Sequence, residues 1–401
     1  MPWKASHFMN ERMEFVARLI KGERMTDLCE EFGISRKTGY KFRDRYQERG
    51  VVALQDQSRA PKRVARKTSE AMAQMLVAAR RAHSTWGGRK IKEMLERDVE
   101  GLKLPSASTI ALVLKRHGLV QKRRLRRRPL IHHGRLTTPD GPNDVWAADY
   151  KGQFRLGNGE YCYPLTASDL HSRFLLAVES LDATDEEQAR TVFESIFREY
   201  GLPRVLRTDN GTPFASQGLA GLTRLSAWWL RLGIRHQRTE PAHPEQNGCH
   251  ERMHRTLKAE TTRPARATSL QQQERFDEFR EEFNEKRPHE AIDMKRPADL
   301  YRTSERPMPD PLPALEYPLH DDVLVVQGGG HVRLPRRRST FLSYALAGQP
   351  VGLREQLDGN WVVTFCSLDL GTYDSRTGSF EPSNPVPPAG NPSKVSPMCS
   401  D

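Results

Sequence analysis

The sequence predicts a multidomain chain: N-terminal helical units of the helix-turn-helix kind, a central α/β domain with a mixed sheet, and a small C-terminal β-barrel. Three observations lead there. Helical periodicity punctuated by Ser and Gly runs from residue 10 to 118. From 145 to 286, strand-like segments around Asn158-Gly159 give way to alternating helix and strand, and after 319 short β-rich segments return between Gly-containing turns. At roughly 100–200 residues per domain, 401 residues fit several domains.

Lys and Arg number 63 against 51 Asp and Glu, a formal charge of +12, so a polyanionic partner is expected. No apolar run of 18 residues occurs, and the first residues lack an apolar stretch followed by a small-residue cleavage site. The expectation is a protein without membrane association, cytoplasmic and nucleoid-associated in a prokaryote. Cys29, Cys162, Cys249, Cys366 and Cys399 lie far apart without CxxC spacing, which suggests neither a disulfide framework nor a cysteine zinc site. His243, His250 and His254 cluster, but no nearby Cys pair supplies the further ligands zinc needs.

In the first unit (1–58), Met13, Val16, Ala17 and Ile20 recur at helical spacing and Gly22 stops the helix. Two short helices follow: Thr26 is expected to cap one with Leu28 and Phe32 inward, Gly33 makes the turn, and Ser35 caps the next. That helix carries Arg36, Lys37, Lys41, Arg43 and Arg45, the chemistry of a recognition helix in a major groove. A polar linker (59–67) leads to a second trihelical unit (68–120), with a helix over 69–82, another in WGGRKIKEMLERD, and a third capped by Ser106 or Ser108. Between Gly101 and Pro139 stand ten Lys or Arg and no Asp or Glu. Arg123, Arg124, Arg126 and Arg127 concentrate that charge in a basic linker (121–139) suited to a phosphate backbone.

The central domain (140–302) reads β-β-β-α-β-α-β-α-α. Three antiparallel strands come first, joined in part by the Asn158-Gly159 hairpin signal. Thr184 is expected to cap a helix whose Ala189, Val192, Phe193, Ile196 and Phe197 form one apolar stripe. The strand RVLRTD, a Trp-rich helix over 219–232, the strand IRHQRT and helices over 248–262 and 270–286 complete it, as a mixed sheet with helices on both faces. A Pro-rich linker (303–318) precedes the expected barrel of four to six strands (319–380), and the Pro-, Ser- and Asn-rich tail (381–401) is expected to be disordered.

Two aspartates sit at strand ends: Asp149 after Trp146-Ala147-Ala148, and Asp209 just before the chain-breaking Asn210-Gly211. If those strands are neighbours, both carboxylates project at one end of the sheet, and a third from the helix near 248–262 can meet them. Three such oxygen ligands suit hard divalent cations.

WAADY, RTDNGTPF and HPEQNGCHERMHRTLK, in that order, resemble the three catalytic blocks of insertion-sequence transposases of the retroviral-integrase type. These are Asp-Asp-Glu recombinases with a ribonuclease H-like core. The resemblance covers residues 135–300. It implies a polynucleotidyl transferase that binds the ends of a mobile element and inserts them into target DNA, with Mg²⁺ (or Mn²⁺) held by Asp149, Asp209 and a glutamate. Carboxylate-held metals need no Lys, Ser or Cys nucleophile. Synapsis of two ends implies a homo-oligomer, a dimer or larger, on double-stranded DNA.

The glutamate has two candidates. Glu245 follows Asp209 after 35 intervening residues, the family's usual separation, and Glu251 after 41. The family pattern, His-Pro, then Asn-Gly, two variable residues and Glu with Arg, falls on His243-Pro244, Asn247-Gly248 and Glu251-Arg252, which selects Glu251 and an insertion before the helix. Glu251, Arg255 and Lys258 share one helical face, so Arg255 and Lys258 are candidate contacts to the DNA ends, with Asn247 a contact implied by the pattern. Two rival readings are a DNA-binding regulator with an inactive recombinase core and a metal-dependent nuclease without strand transfer.

Overall fold

The computed structural model describes residues 8–56, 68–120, 136–240, 248–335 and 338–383. The chain forms two compact units, Met1–Ser69 and Glu70–Asp401. The expectations placed on Arg123, Arg124, Arg126, Arg127, Glu245, Asn247, most of both linkers before residue 136, and the tail from residue 384 lie outside the described residues.

The first unit packs α1 (Phe8–Ile20), α2 (Met25–Glu31) and α3 (Arg36–Arg49) around Phe15, Val16, Leu28, Ile34 and Phe42. The buried stripe of α1 is Phe15 and Val16 with Leu19, not the expected Met13 and Ile20, which are exposed. Phe15 is bulkier, and centring the stripe on it rotates Met13 and Ile20 outward. Ser35 caps α3 by accepting from the Thr38 amide, while Thr26 lies inside α2 and caps nothing, because that helix starts one residue earlier at Met25. Gly39 lets α2 and α3 touch: a Cβ there would stand 2.7 Å from Met25 Sδ and 2.8 Å from Cys29 Sγ.

The second unit opens with α4 (Glu70–Ala82), α5 (Gly88–Asp98) and α6 (Ala107–Arg116), the last capped by Ser106. Trp86, fully buried and stacked on His83, meets the Arg287 guanidinium of the central domain, which lies 5.8 Å from its ring centroid. His83 meets Glu282 at 2.8 Å, Thr85 bonds Glu260, and Glu260 pairs with Arg287 at 2.9 Å.

The central sheet comprises β1 (Val145–Tyr150), β2 (Phe154–Arg155), β3 (Tyr161–Asp169), β4 (Leu175–Leu181), β5 (Val205–Thr208) and β6 (Arg235–Arg238). Its order is β4-β3-β1-β5-β6, with β2 paired to the start of β3. β1, β3 and β4 pair antiparallel, whereas β5 runs parallel to both β1 and β6. Helices α7 (Glu186–Tyr200) and α8 (Arg224–Arg231) bury Phe193, Phe197, Trp228 and Trp229 against Trp146 and Ala148 on one face. Helices α9 (Gly248–Thr261) and α10 (Ser269–Glu281) bury Met253, Leu257, Phe276 and Phe279 on the other. Asp185, not Thr184, caps α7, its carboxylate accepting from the Gln188 amide. After α11 (Pro297–Leu300), Ser304 and Arg306 of the Pro-rich segment bind main-chain oxygens of Leu202, Pro203, Leu232 and Gly233, strapping it to the sheet domain.

The C-terminal region corrects the expected barrel. Strands β7 (Asp322–Val325), β10 (Pro350–Glu355), β11 (Asn360–Phe365), β12 (Leu368–Asp374) and β13 (Phe380–Pro382) form an open sheet in the order β13-β12-β11-β10-β7. β8 (His331–Leu334) and β9 (Arg338–Phe341) form a separate hairpin. Val332 and Leu334 of that hairpin pack on Val351, Leu353, Val363 and Phe365, so the interior is covered by a second layer rather than by hydrogen-bonded closure. The tail expected to be disordered from residue 381 contributes Glu381 and Pro382 to β13.

Candidate active site

Each acidic block is built by its neighbours. In β1, Ala147 and Ala148 are fully buried because helices cover both faces and leave room only for small side chains. Trp146 is anchored by its indole N–H donating to Asn143 Oδ1 at 3.0 Å. Asp149 follows where the core ends. In the second block, the Thr208 hydroxyl donates to the Asp209 carbonyl at 2.9 Å and meets His236 Nε2 at 2.9 Å. The Asn210 amide donates to the Thr239 carbonyl at 2.7 Å, and the Gly211 N–H donates to Asp209 Oδ1 at 3.1 Å. A Cβ on Gly211 would stand 3.0 Å from Asp209 Oδ2, so a residue without one lets the turn close tightly on the carboxylate.

β1 and β5 are adjacent and parallel, with Val145 opposite Val205 and Ala147 opposite Arg207. Asp149 and Asp209 therefore emerge at the same end of the sheet. Across β1, Thr166 of β3 lies directly opposite Asp149 and donates to its carbonyl at 3.0 Å. The same hydroxyl oxygen is 2.7 Å from His250 Nε2 and 2.7 Å from His254 Nε2, and His250 Nδ1 is 3.0 Å from Ser168 Oγ. These two α9 histidines, both buried, pin the helix to β3 and β1. His254 Nδ1 faces Asp149 Oδ2 at 3.7 Å.

Helix α9 turns His250, Met253, His254 and Leu257 inward, while Glu251 and Arg255 are exposed and Lys258 is half-buried. Burial first, then the Asp209 charge, with a smaller contribution from Glu251, pushes the Asp149 carboxyl up to about 8. Burial also raises Asp209. Lys151 is lowered by burial and by Lys258 and held up by Asp149 and Glu251, so two lysines stand beside these two carboxylates. Among the described residues, the tightest grouping of possible metal-ligand atoms is Asp149 with His250 and His254, within 4.8 Å of one another. Asp209 and Glu251 act on Asp149 through space without joining a group that tight. Mutually repelling carboxylates in a half-buried space are a donor set that fits hard divalent cations.

Of the sequence-derived DNA contacts, Arg36, Lys37 and Lys41 are exposed on α3, and Arg43 is half-buried, paired with Asp44 at 2.7 Å and stacked over Tyr40. His250, His254, Thr166, Ser168, His236 and Lys151 were not singled out as site residues from sequence. The spacing of His250 and His254, one residue before and three after Glu251, was the available signal.

Residues 139–244 and 232–297 match the family described as Integrase core domain, residues 11–62 a Helix-turn-helix domain, and residues 38–114 a Homeodomain-like domain. The chain is similar to the uncharacterized 39.2 kDa protein of insertion element IS476 from Xanthomonas euvesicatoria, 27% identical over 248 residues, 59% of this chain and 67% of that protein. It is also similar to the uncharacterized 31.7 kDa protein of insertion element IS407 from Burkholderia multivorans, 24% identical over 233 residues, 58% of this chain and 81% of that protein. Together these matches give an integrase core with helix-turn-helix regions before it and a likeness to insertion-element transposases of the retroviral-integrase type. A solved structure similar to part of the chain is the HTLV-2 integrase catalytic core domain in complex with magnesium, 15% identical, covering 41% of this chain and 100% of that one at a TM-score of 0.33. Among the described residues, no helix is long and apolar enough to cross a membrane.

Proposed function

We propose that this chain is a transposase that binds the two ends of its insertion element and joins them to target DNA, with Asp149, Asp209 and Glu251 holding divalent cations, Mg²⁺ or Mn²⁺. The observation that carries this reading is that the adjacent parallel strands β1 and β5 deliver two aspartates to one end of the sheet, beside the helix bearing Glu251. When bound, such ions stabilise the attacking and leaving oxygens of an in-line phosphoryl displacement. The protein's own part is positioning. Asp149 is fixed through its main chain by Thr166, Asp209 by Gly211 and Thr208, and Glu251 by a helix locked through His250 and His254.

Lys151, Lys258 and Arg255 supply positive charge beside the carboxylates and suit phosphates of the reacting strands. Arg36, Lys37, Lys41 and Arg43 are the proposed contacts of the end-recognising helix α3, with Arg123, Arg124, Arg126, Arg127 and Asn247 as further contacts read from sequence. Pairing two ends calls for a dimer or larger assembly on double-stranded DNA, and the working location is the nucleoid. The C-terminal region supplies the second DNA surface in this reading, toward target or flanking DNA.

The test is the joining of labelled end DNA to a plasmid by the full-length protein. Products are expected with Mg²⁺ or Mn²⁺, none with EDTA or with Asp149→Asn, and end binding survives both treatments. Joining that persists in EDTA, or a covalent protein–DNA adduct, contradicts the reading.

A further inference from the structure

The hydrogen bonds around Thr166 assign the protons on both α9 histidines. A threonine hydroxyl has one proton to donate and two lone pairs to accept with. Its proton goes to the Asp149 carbonyl at 3.0 Å, so both contacts at 2.7 Å must be received from Nε2–H groups of His250 and His254. Each neutral ring then keeps a bare lone pair on Nδ1. The His250 lone pair accepts from the Ser168 hydroxyl at 3.0 Å.

The His254 lone pair has no such donor. Among the described residues, its Nδ1 makes no hydrogen bond, and it faces Asp149 Oδ2 at 3.7 Å. With Nε2–H committed to Thr166, the neutral ring presents Nδ1 to the Asp149 carboxyl as a lone pair, beyond hydrogen-bond distance of it. His254 is 5% exposed, and its ring cannot turn away without breaking the bond to Thr166. An imidazole nitrogen and a carboxylate oxygen held face to face in this way are placed to share one cation.

We infer that His254 Nδ1 is a nitrogen ligand to the divalent cation held by Asp149, and that it tilts this site toward Mn²⁺ over Mg²⁺. The inference rests on Asp149 being a cation ligand, and it adds to an oxygen donor set a borderline donor that first-row transition ions accept more readily than Mg²⁺ does. Glu251 and His254 are three residues apart on α9, one turn, so a single helix presents both donors.

The experiment uses the full-length protein without DNA and Mn²⁺ alone as the probe, read by binding titration and by pulsed electron paramagnetic resonance for coupling to a coordinated imidazole nitrogen. Wild type is expected to show one such nitrogen. His254→Asn is expected to lose it and to bind Mn²⁺ at least about tenfold more weakly, with a smaller loss for Mg²⁺. Asp149→Asn is expected to lose the ion and the nitrogen signal together. Mn²⁺ bound in an Asp149-dependent way without nitrogen coupling, or coupling that persists in His254→Asn, overturns the inference and leaves the carboxylate site intact. Mn²⁺ binding indifferent to Asp149→Asn overturns both. Should His254→Asn fail to fold, the wild-type and Asp149→Asn spectra still decide, because loss of the nitrogen with the Asp149 ion locates the imidazole there and its absence in wild type refutes it.

Discussion

Thr166 stands opposite Asp149 in the antiparallel register of β1 and β3, and its one hydroxyl serves the Asp149 carbonyl and two histidines of α9 at once. Thr166→Val keeps the shape and removes all three bonds. It leaves two buried N–H groups without an acceptor, so a stability loss of about 3 kcal/mol is expected. Strand joining should fall further than end binding, because α9 loses its anchor beside Asp149. Thr166→Ser, which keeps the hydroxyl, should restore most of both. Urea unfolding monitored by circular dichroism checks the first expectation; a Val variant as stable as wild type would mean that water serves the histidines equally well.

The exposed cations of α3 lead to a prediction about salt. Each Lys or Arg that neutralises a phosphate contributes about −0.9 to the slope of log affinity against log salt concentration. Replacing Arg36 and Lys37 by Ala in the full chain should weaken end binding and make that slope shallower by about 2. Fluorescence anisotropy across a salt series measures it. An unchanged slope would place the α3 surface away from DNA.

His289 carries a pH signature away from the carboxylates. Burial, then Lys90 and Arg287, push its imidazole down to about 3 from the ordinary 6.5, and its Nε2 lies 3.3 Å from the Phe283 carbonyl. The unfolded chain takes up this proton below pH 6.5 and the folded chain does not. The stability held by the neutral ring is therefore present above 6.5 and is lost as pH falls through 6.5 toward 3. His289→Phe keeps a ring against Phe283 and removes one titrating group. Between pH 6 and 4 its stability should fall less steeply than wild type, by about 1.4 kcal/mol per pH unit at most. Parallel slopes for the two proteins would show that His289 titrates normally in the fold.

Much of the site was legible because its elements are local. The apolar stripe from Ala189 to Phe197 marks α7 without tertiary information, and RTDNG announces a strand end by its turn chemistry. Caps were misplaced by one residue at Asp185, since Thr184 and Asp185 both cap well and only the backbone path decides between them. The barrel was misjudged because strand-like spacing specifies strands and not the partners of the two outer ones, and here the hairpin at 331–341 filled the core instead. The link between His250, His254 and Asp149 was hidden for a related reason. It passes through Thr166, some 84 residues before His250, and the pairing register of β3 with β1 is nowhere written in local spacing.

In the proposed mechanism Glu251, on α9, completes a carboxylate site with Asp149 and Asp209. Strand joining of labelled end DNA by Glu251→Gln and by Glu245→Gln, each at matched end-binding occupancy in Mg²⁺ and Mn²⁺, tests it most directly. Gln keeps the size and removes the charge that holds a cation, so Glu251→Gln should lower joining by at least ~10³-fold while end binding stays near wild type. Glu245→Gln should cost no more than about tenfold, the effect of a peripheral contact worth ~1 kcal/mol. Abolished joining in Glu245→Gln together with an active Glu251→Gln would contradict this assignment and make Glu245 the third carboxylate.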